Sequence, residues 1–255
     1  MPTNPFSALR APIVVDPSKS IADQIYETLR NAIVRREIEP NQRLFEVEVA
    51  RGFNASRTPV REAFRRLEQD GVAERLAQGG IRVSQPDTET IRDLFKLRAI
   101  LEVHAIELAC ERITAEDIAL LKQIRAQAEE LLKASDVSHD FTLNRFYELN
   151  SMFHDAIYAA TRSKFLIKVL NNIRVMVMSV RSVSIRLESI RGVWQEHSQL
   201  IDHLERREKA AAKRLIQQHV SRTAGQVLSF IQSDPGEAQA PERAPKAVRR
   251  AKRSS

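Results

Sequence analysis

The sequence has 255 residues, of which 43% are hydrophobic and one is cysteine. This composition favours one or two mostly helical globular domains with a hydrophobic core, and the single cysteine excludes a disulfide within the chain. The formal net charge of +7 favours an acidic partner such as nucleic acid.

The sequence contains no sign of a membrane or export segment. No apolar run approaches the length of a membrane-spanning helix, and no signal-peptide pattern precedes the first predicted domain. We therefore expect no membrane partner and a bacterial-type cytoplasmic location.

The first predicted helix follows an irregular N-terminal segment. Residues 1–19 contain several prolines and no hydrophobic period, so we predict a flexible arm there. Ser20 and Asp23 then form an N-capping pattern, and apolar residues at helical spacing continue from it to about Arg35.

Two further short helices are predicted next. Pro40 disfavours helix in the residue before it, so we interpret 37–42 as a turn and place the second helix at about 46–53. The third helix begins after a turn, where the hydroxyl of either Ser56 or Thr58 can cap the first helical turn.

This third helix has an apolar face and an arginine face. Its apolar residues recur at steps of three and four: Val60, Ala63, Phe64 and Leu67. Arg57, Arg61 and Arg65 share another face, where a guanidinium fits the O6 and N7 acceptors of guanine. A solvated charged face is the alternative, and the neighbouring elements favour DNA binding over it.

A β-hairpin is predicted after the third helix. Short strands at 72–76 and 81–84 flank a turn that contains Gln78 and Gly79. Residues 20–85 therefore form a predicted winged helix-turn-helix domain, whose third helix enters the major groove of DNA.

The remaining chain shows helical patterns almost to its end. We predict six helices, at 87–111, 114–134, 139–160, 164–187, 191–206 and 208–232. Residues 86–233 thus form a predicted all-α helical bundle, and the fold class is mainly α. The segment 234–255 is basic and has no apolar pattern, so we predict a disordered tail.

Polar residues interrupt the inward faces of these bundle helices. His154, His197 and His219 lie on separate helices, and Asn150 lies one turn before His154. Imidazole nitrogens with one neutral oxygen suit zinc or a similar divalent ion with an open position. A core cluster of hydrogen-bonded histidines is the alternative.

The winged domain resembles the DNA-binding domain of GntR-type bacterial transcription regulators. The resemblance rests on Ser56-Arg57-Thr58-Pro59-Val60-Arg61-Glu62-Ala63, followed by Leu67, Gly71 and the glycine-containing wing. It implies that Arg57 and Arg61 read base edges and that Ser56 and Thr58 contact phosphate or base. It also implies that Gln78 and Gly79 approach the minor groove. Arg65 and Arg66 lie outside the motif, and we expect at least one of them to be a phosphate contact or a solvated charge; Arg65 is our candidate DNA contact.

Residues 88–230 resemble the FCD ligand-binding domain of the FadR branch of these regulators. The matching segments are Leu97 to Glu102, Asn150 to His154, Glu196-His197 and His219. This resemblance implies a divalent metal, zinc with nickel or manganese as alternatives, bound by Asn150, His154, His197 and His219. Asn150 stands where the family has Asp.

The resemblance also implies a small carboxylate effector that reaches the metal. Arg98 lies on the inward face of the first bundle helix and can bind a carboxylate through two hydrogen bonds. A structural pair between Arg98 and Glu102 is the alternative.

The sequence therefore predicts a ligand-responsive DNA-binding transcription regulator that is not an enzyme. We expect a homodimeric repressor that binds a short palindromic operator in double-stranded DNA and is released by the effector. A metal-dependent hydrolase would need a general base, and Glu102 is the only further inward carboxylate that we identify. A non-specific architectural protein conflicts with the nearly neutral winged domain, where residues 20–86 hold eleven basic and ten acidic side chains.

Overall fold

The computed structural model describes residues 16, 18–35, 37–133, 139–181 and 187–233. Most of the predicted arm and the whole predicted tail lie outside these residues. The described chain is helical apart from one small antiparallel sheet, which confirms the mainly α fold class.

The winged domain has three helices and three short strands. Its elements are α1 (Ile21–Val34), β1 (Arg43–Leu44), α2 (Glu46–Gly52), α3 (Arg57–Gln69), β2 (Ala73–Arg75) and β3 (Ile81–Val83). α1 begins after Ser20, whose hydroxyl accepts a hydrogen bond of 3.0 Å from the backbone N–H of Asp23. Leu29 of α1 packs with Phe64 and Leu67 of α3 in one core from which water is excluded.

The sheet places the wing beside the rest of the domain. Its strand order is β1-β3-β2, so β3 pairs with both neighbours. β1 was not predicted, because two residues are too few to show a period. Gly80 has a φ of 84°, and a Cβ there would lie 2.4 Å from the Leu44 carbonyl oxygen, so this turn requires glycine.

The second domain is a bundle of long helices. They are α4 (Thr88–Arg112), α5 (Ala115–Lys133), α6 (His139–Ala160), α7 (Lys164–Arg181), α8 (Leu187–Glu205) and α9 (Lys209–Ser233). The prediction was wrong at the junction of α7 and α8, since α8 already begins at Leu187. No glycine or proline lies between 164 and 191 to mark that boundary in the sequence.

α7 packs against both domains. Val175 is buried in the core of the winged domain, and a Cβ built on Gly71 would lie 3.2 Å from Met176. Other α7 residues, including Ile173 and Val177, pack against α4. A shift of α7 in the bundle would therefore be transmitted directly to the winged domain. None of the described helices is both long and apolar enough to cross a membrane.

Candidate functional site

The predicted DNA-contacting residues lie on an open surface of the winged domain. Ser56 occupies the N-cap position of α3 but makes no capping hydrogen bond, and Ser56, Arg57 and Thr58 are all exposed. No acidic residue lies in the first turn, so the N–H groups at this helix start can receive a phosphate. Gln78 and Gly79 are exposed at the tip of the wing.

Arg61 is held in place without being buried. Its Nε donates a hydrogen bond of 2.8 Å to Oε2 of Glu46, which starts α2. The Arg61 side chain is 57% exposed, whereas that of Glu46 is 14% exposed. The ion pair therefore aligns the guanidinium and leaves it accessible to a ligand.

The two adjacent arginines further along α3 have different surroundings. Arg65 is exposed on the outer face of the helix. Arg66 donates a hydrogen bond of 2.5 Å to Asp23, and its guanidinium lies 4.0 Å from the centre of the Tyr26 ring. Arg66 thus fixes α3 to α1, whereas Arg65 remains exposed on the outer face of α3.

The bundle brings three predicted metal ligands together. His154 of α6, His197 of α8 and His219 of α9 are each 1% exposed, and they offer ring nitrogens within 4.8 Å of one another. Phe153 stacks on His197 with ring centres 3.9 Å apart, and Trp194 contacts the same imidazole edge-on. Aromatic packing therefore restricts how this imidazole can turn.

The donor atoms at this cluster fit a divalent metal. Both ring nitrogens of His154 lack a hydrogen-bond partner among the described residues, and so does the Oδ1 of Asn150. Burial lowers the pKa of His154 well below its usual value, and the neighbouring His197 and Arg98 lower it further. His154 is consequently neutral at pH 7 and presents the lone pair that a metal requires.

Glu196 and Arg222 support the cluster from outside. The Oε2 of Glu196 lies 2.7 Å from Nδ1 of His219, and Arg222 donates hydrogen bonds of 2.8 and 2.6 Å to the two Glu196 oxygens. Burial would raise the pKa of Glu196, but the hydrogen bonds from His219 and Arg222 outweigh it and lower the pKa. No role for Glu196 or Arg222 was predicted from the sequence, although Arg222 lies one helical turn after His219.

A buried acid–base network joins the cluster to α4. Oε1 of Glu102 accepts hydrogen bonds from Nε of Arg98 at 3.1 Å and from the hydroxyl of Tyr158 at 2.6 Å. The same oxygen lies 3.8 Å from Nδ1 of His154. Arg98 thus forms the structural pair with Glu102 that the sequence left as an alternative to carboxylate binding.

Tyr158 was also not predicted from the sequence as a residue of this network. Burial and the nearby charge of Glu102 raise the pKa of its hydroxyl well above the usual value, so the group stays protonated and donates. Its position four residues after His154 in α6 was the available signal.

Two family models match the chain. Residues 93–222 match the FCD domain, and residues 21–83 match the bacterial regulatory proteins of the gntR family.

Curated relatives align over most of the chain. The Nta operon transcriptional regulator of Aminobacter aminovorans is 29% identical over 206 residues, which cover 78% of this chain and 90% of the relative. The HTH-type transcriptional repressor RspR of Escherichia coli is 26% identical over 221 residues, which cover 86% of this chain and 94% of the relative.

Solved structures with the same fold include other bacterial regulators. Escherichia coli McbR/YncC aligns with a TM-score of 0.70 and 19% identity over 85% of this chain and 99% of the other. A putative GntR regulator from Rhodococcus sp. RHA1 aligns with a TM-score of 0.62 and 22% identity over 83% and 99%. At these identities the likeness concerns the fold alone.

Proposed function

We infer that this chain, a DNA-binding transcription regulator that belongs to the gntR family of bacterial regulatory proteins and carries an FCD domain, senses its signal at the histidine cluster. Its relatives are regulators and not enzymes, and some are named repressors. We accordingly propose that it represses transcription and that an effector releases it from DNA.

The observation that carries this proposal is the neutral, buried His154 beside Asn150. We propose that His154, His197 and His219 bind one divalent metal, with the Oδ1 of Asn150 as a weak fourth ligand. Zinc suits these ligands best, and nickel and manganese are alternatives. A bound ion would supply positive charge and an open position for an anionic group, and the neutral Asn150 leaves that charge less compensated than a carboxylate would.

Arg98 is the proposed contact for the effector's carboxylate. Its bonds to Glu102 use Nε and Nη2, so a carboxylate would bind at Nη1 or take the place of the Glu102 oxygen. The pair of Arg98 with Glu102 and the binding of a carboxylate by Arg98 would then be two states of one site. α4 packs against α7, and α7 packs into the core of the winged domain. A rearrangement at Arg98 on α4 would therefore be transmitted through α7 to the DNA-binding surface.

We propose that α3 reads an operator in double-stranded DNA. Arg57 and Arg61 would contact base edges in the major groove, while Ser56, Thr58 and Arg65 would contact phosphates or a neighbouring base. The wing tip, formed by Gln78 and Gly79, would reach the minor groove. Since its target is chromosomal DNA, we expect the protein in the cytoplasm.

We propose a homodimer that binds a short near-palindromic operator. The packed pair α4 and α7 carries four exposed large hydrophobic residues: Leu97, Ile100, Phe165 and Val169. Phe165 is 86% exposed, which is unfavourable for an aromatic side chain in water unless a partner covers it. A second copy of the chain would bury these side chains and give the two-fold symmetry that a palindrome matches.

A thermal-shift screen of small carboxylates, with and without added metal, tests the sensing proposal. We expect stabilisation by a carboxylate that depends on metal and is lost in both His154→Ala and Arg98→Gln. The exposed His104 lies outside the cluster, so His104→Ala is the matched control. The proposed site would be contradicted if no carboxylate stabilised the protein in a metal-dependent way, or if the metal-dependent stabilisation survived in both site variants.

A further inference from the structure

A cleft lies between the winged domain and the helical bundle. This cleft has a volume of about 440 Å³ and is lined by α1 on one side and by α6 and α7 on the other. Cavities that bind small molecules have volumes of about 300 to 1,000 Å³. The cleft is therefore large enough for a small ligand that touches both domains.

The charged side chains of the cleft are mainly basic. They are Arg30 and Arg35 from α1, Arg145, Glu148 and Asp155 from α6, and Arg174 from α7. Four arginines against two carboxylates leave an excess of two positive charges.

Both carboxylates already have arginine partners. Asp155 accepts a hydrogen bond of 2.6 Å from Arg174. Glu148 accepts one of 2.9 Å from Arg145 and lies 3.9 Å from Arg35. One of the two unbalanced charges therefore lies on Arg30, which has no hydrogen bond or ion pair to any residue in the described ranges. The other belongs to Arg35 and Arg145, which share Glu148.

Two arginines that line the cleft each have a buried Nε with no acceptor among the described residues. Arg174 is 7% exposed and donates to the backbone oxygen of Ser151 as well as to Asp155, yet its Nε has no partner within the described chain. The Nε of Arg30 is also buried without a partner there. A buried donor that lacks an acceptor costs free energy, and an anionic ligand would recover it if the guanidinium turned its Nε toward the cleft.

We propose that this cleft binds a small dianionic ligand, carrying a phosphate group or two carboxylates, through Arg30 and Arg174. Such a ligand would neutralise the excess charge and connect α1 to α7. Ser151 and Asp155, which hold Arg174, directly follow Asn150 and His154 in α6. The bound anion would thus fix the winged domain against α6, the helix that carries Asn150 and His154.

The test titrates inorganic phosphate and, separately, succinate into the full-length protein at constant ionic strength. The thermal midpoint of each variant in chloride alone serves as its own baseline. We expect at least one of the two anions to raise the midpoint of the wild type, with at least tenfold weaker binding in Arg30→Gln. Arg92→Gln, an exposed arginine of α4 outside the cleft, should bind like the wild type.

A parallel titration of His154→Ala separates the cleft from the histidine cluster. Retained anion binding in this variant is the result expected for two separate sites, whatever the metal content of the protein. Binding that disappears with His154→Ala would place the anion at the histidines and overturn the proposal. It is likewise overturned if neither anion shifts the wild type, or if Arg30→Gln responds like Arg92→Gln.

Discussion

Oε2 of Glu196 lies 2.7 Å from Nδ1 of His219, and this contact determines which ring nitrogen can bind a metal. With its pKa lowered, Glu196 is ionised and accepts a hydrogen bond from Nδ1–H, so the tautomer with a lone pair on Nε2 is favoured. Arg222 holds both Glu196 oxygens and so keeps this carboxylate in place. Carboxylates in this position orient metal-binding histidines and increase their basicity.

We expect Glu196→Gln to weaken metal binding by about 10- to 100-fold, as is common for residues that support a metal ligand. Competition with a chelator of known affinity measures the change. Glu205→Gln removes an exposed carboxylate from the same helix and should leave the affinity unaltered. Equal metal affinities of Glu196→Gln and Glu205→Gln would show that Glu196 does not support the metal ligands.

Base readout by α3 is tested by Arg57→Ala and Arg61→Ala. Each should cost about 1 to 3 kcal/mol in binding to the specific operator and change binding to random DNA little, because base contacts carry the discrimination. Arg65→Ala should weaken binding to both DNAs alike. Equal losses on both DNAs for Arg57→Ala would assign that residue to the phosphate backbone instead.

The sequence predicted most elements because the helices have clear apolar periods and the α3 segment carries a specific motif. It could not reveal partners brought together from distant parts of the chain. The contact of Glu102 with Tyr158 spans 56 residues, and that of Arg66 with Asp23 spans 43. Both depend on how helices pack, which no local pattern specifies. β1 escaped for the opposite reason, since two residues contain too little pattern.

The proposed dimer predicts that Ile100→Asp and Phe165→Asp give monomers. A charge on a buried apolar interface must be desolvated without a partner, which opposes association. Sedimentation at micromolar concentration measures the state of each variant. Leu120→Asp changes an exposed apolar residue of α5 and should remain dimeric. A wild-type monomer, with or without operator DNA, would refute the interface.

Tyr26 couples the stability of the winged domain to alkaline pH. Burial, followed by its hydrogen bond to Asp70, raises the pKa of Tyr26 from 10.0 to about 12. In the unfolded chain the phenol ionises first, so the contribution of Tyr26 to the free energy of unfolding should be constant below about pH 10 and decline between the two pKa values.

Replacing Tyr26 with Phe should remove this contribution to the alkaline decline. At neutral pH the variant should lose about 1 kcal/mol, the usual contribution of one hydrogen bond. Denaturant unfolding of both proteins at about pH 9 and about pH 11 measures how much the free energy of unfolding of each one falls with pH. Parallel declines in the two proteins would show that Tyr26 does not titrate in this range.

The most direct test of the sensing mechanism is metal analysis of the purified protein after dialysis against a weak chelator. The wild type and His104→Ala should retain about one divalent ion per chain, and His154→Ala should retain far less. In the same preparations, the effector found by the thermal-shift screen should release operator DNA from the wild type but not from His154→Ala. If His154→Ala carries as much metal as the wild type and the effector still releases its DNA, the histidines form a structural core cluster and the proposed metal site is wrong.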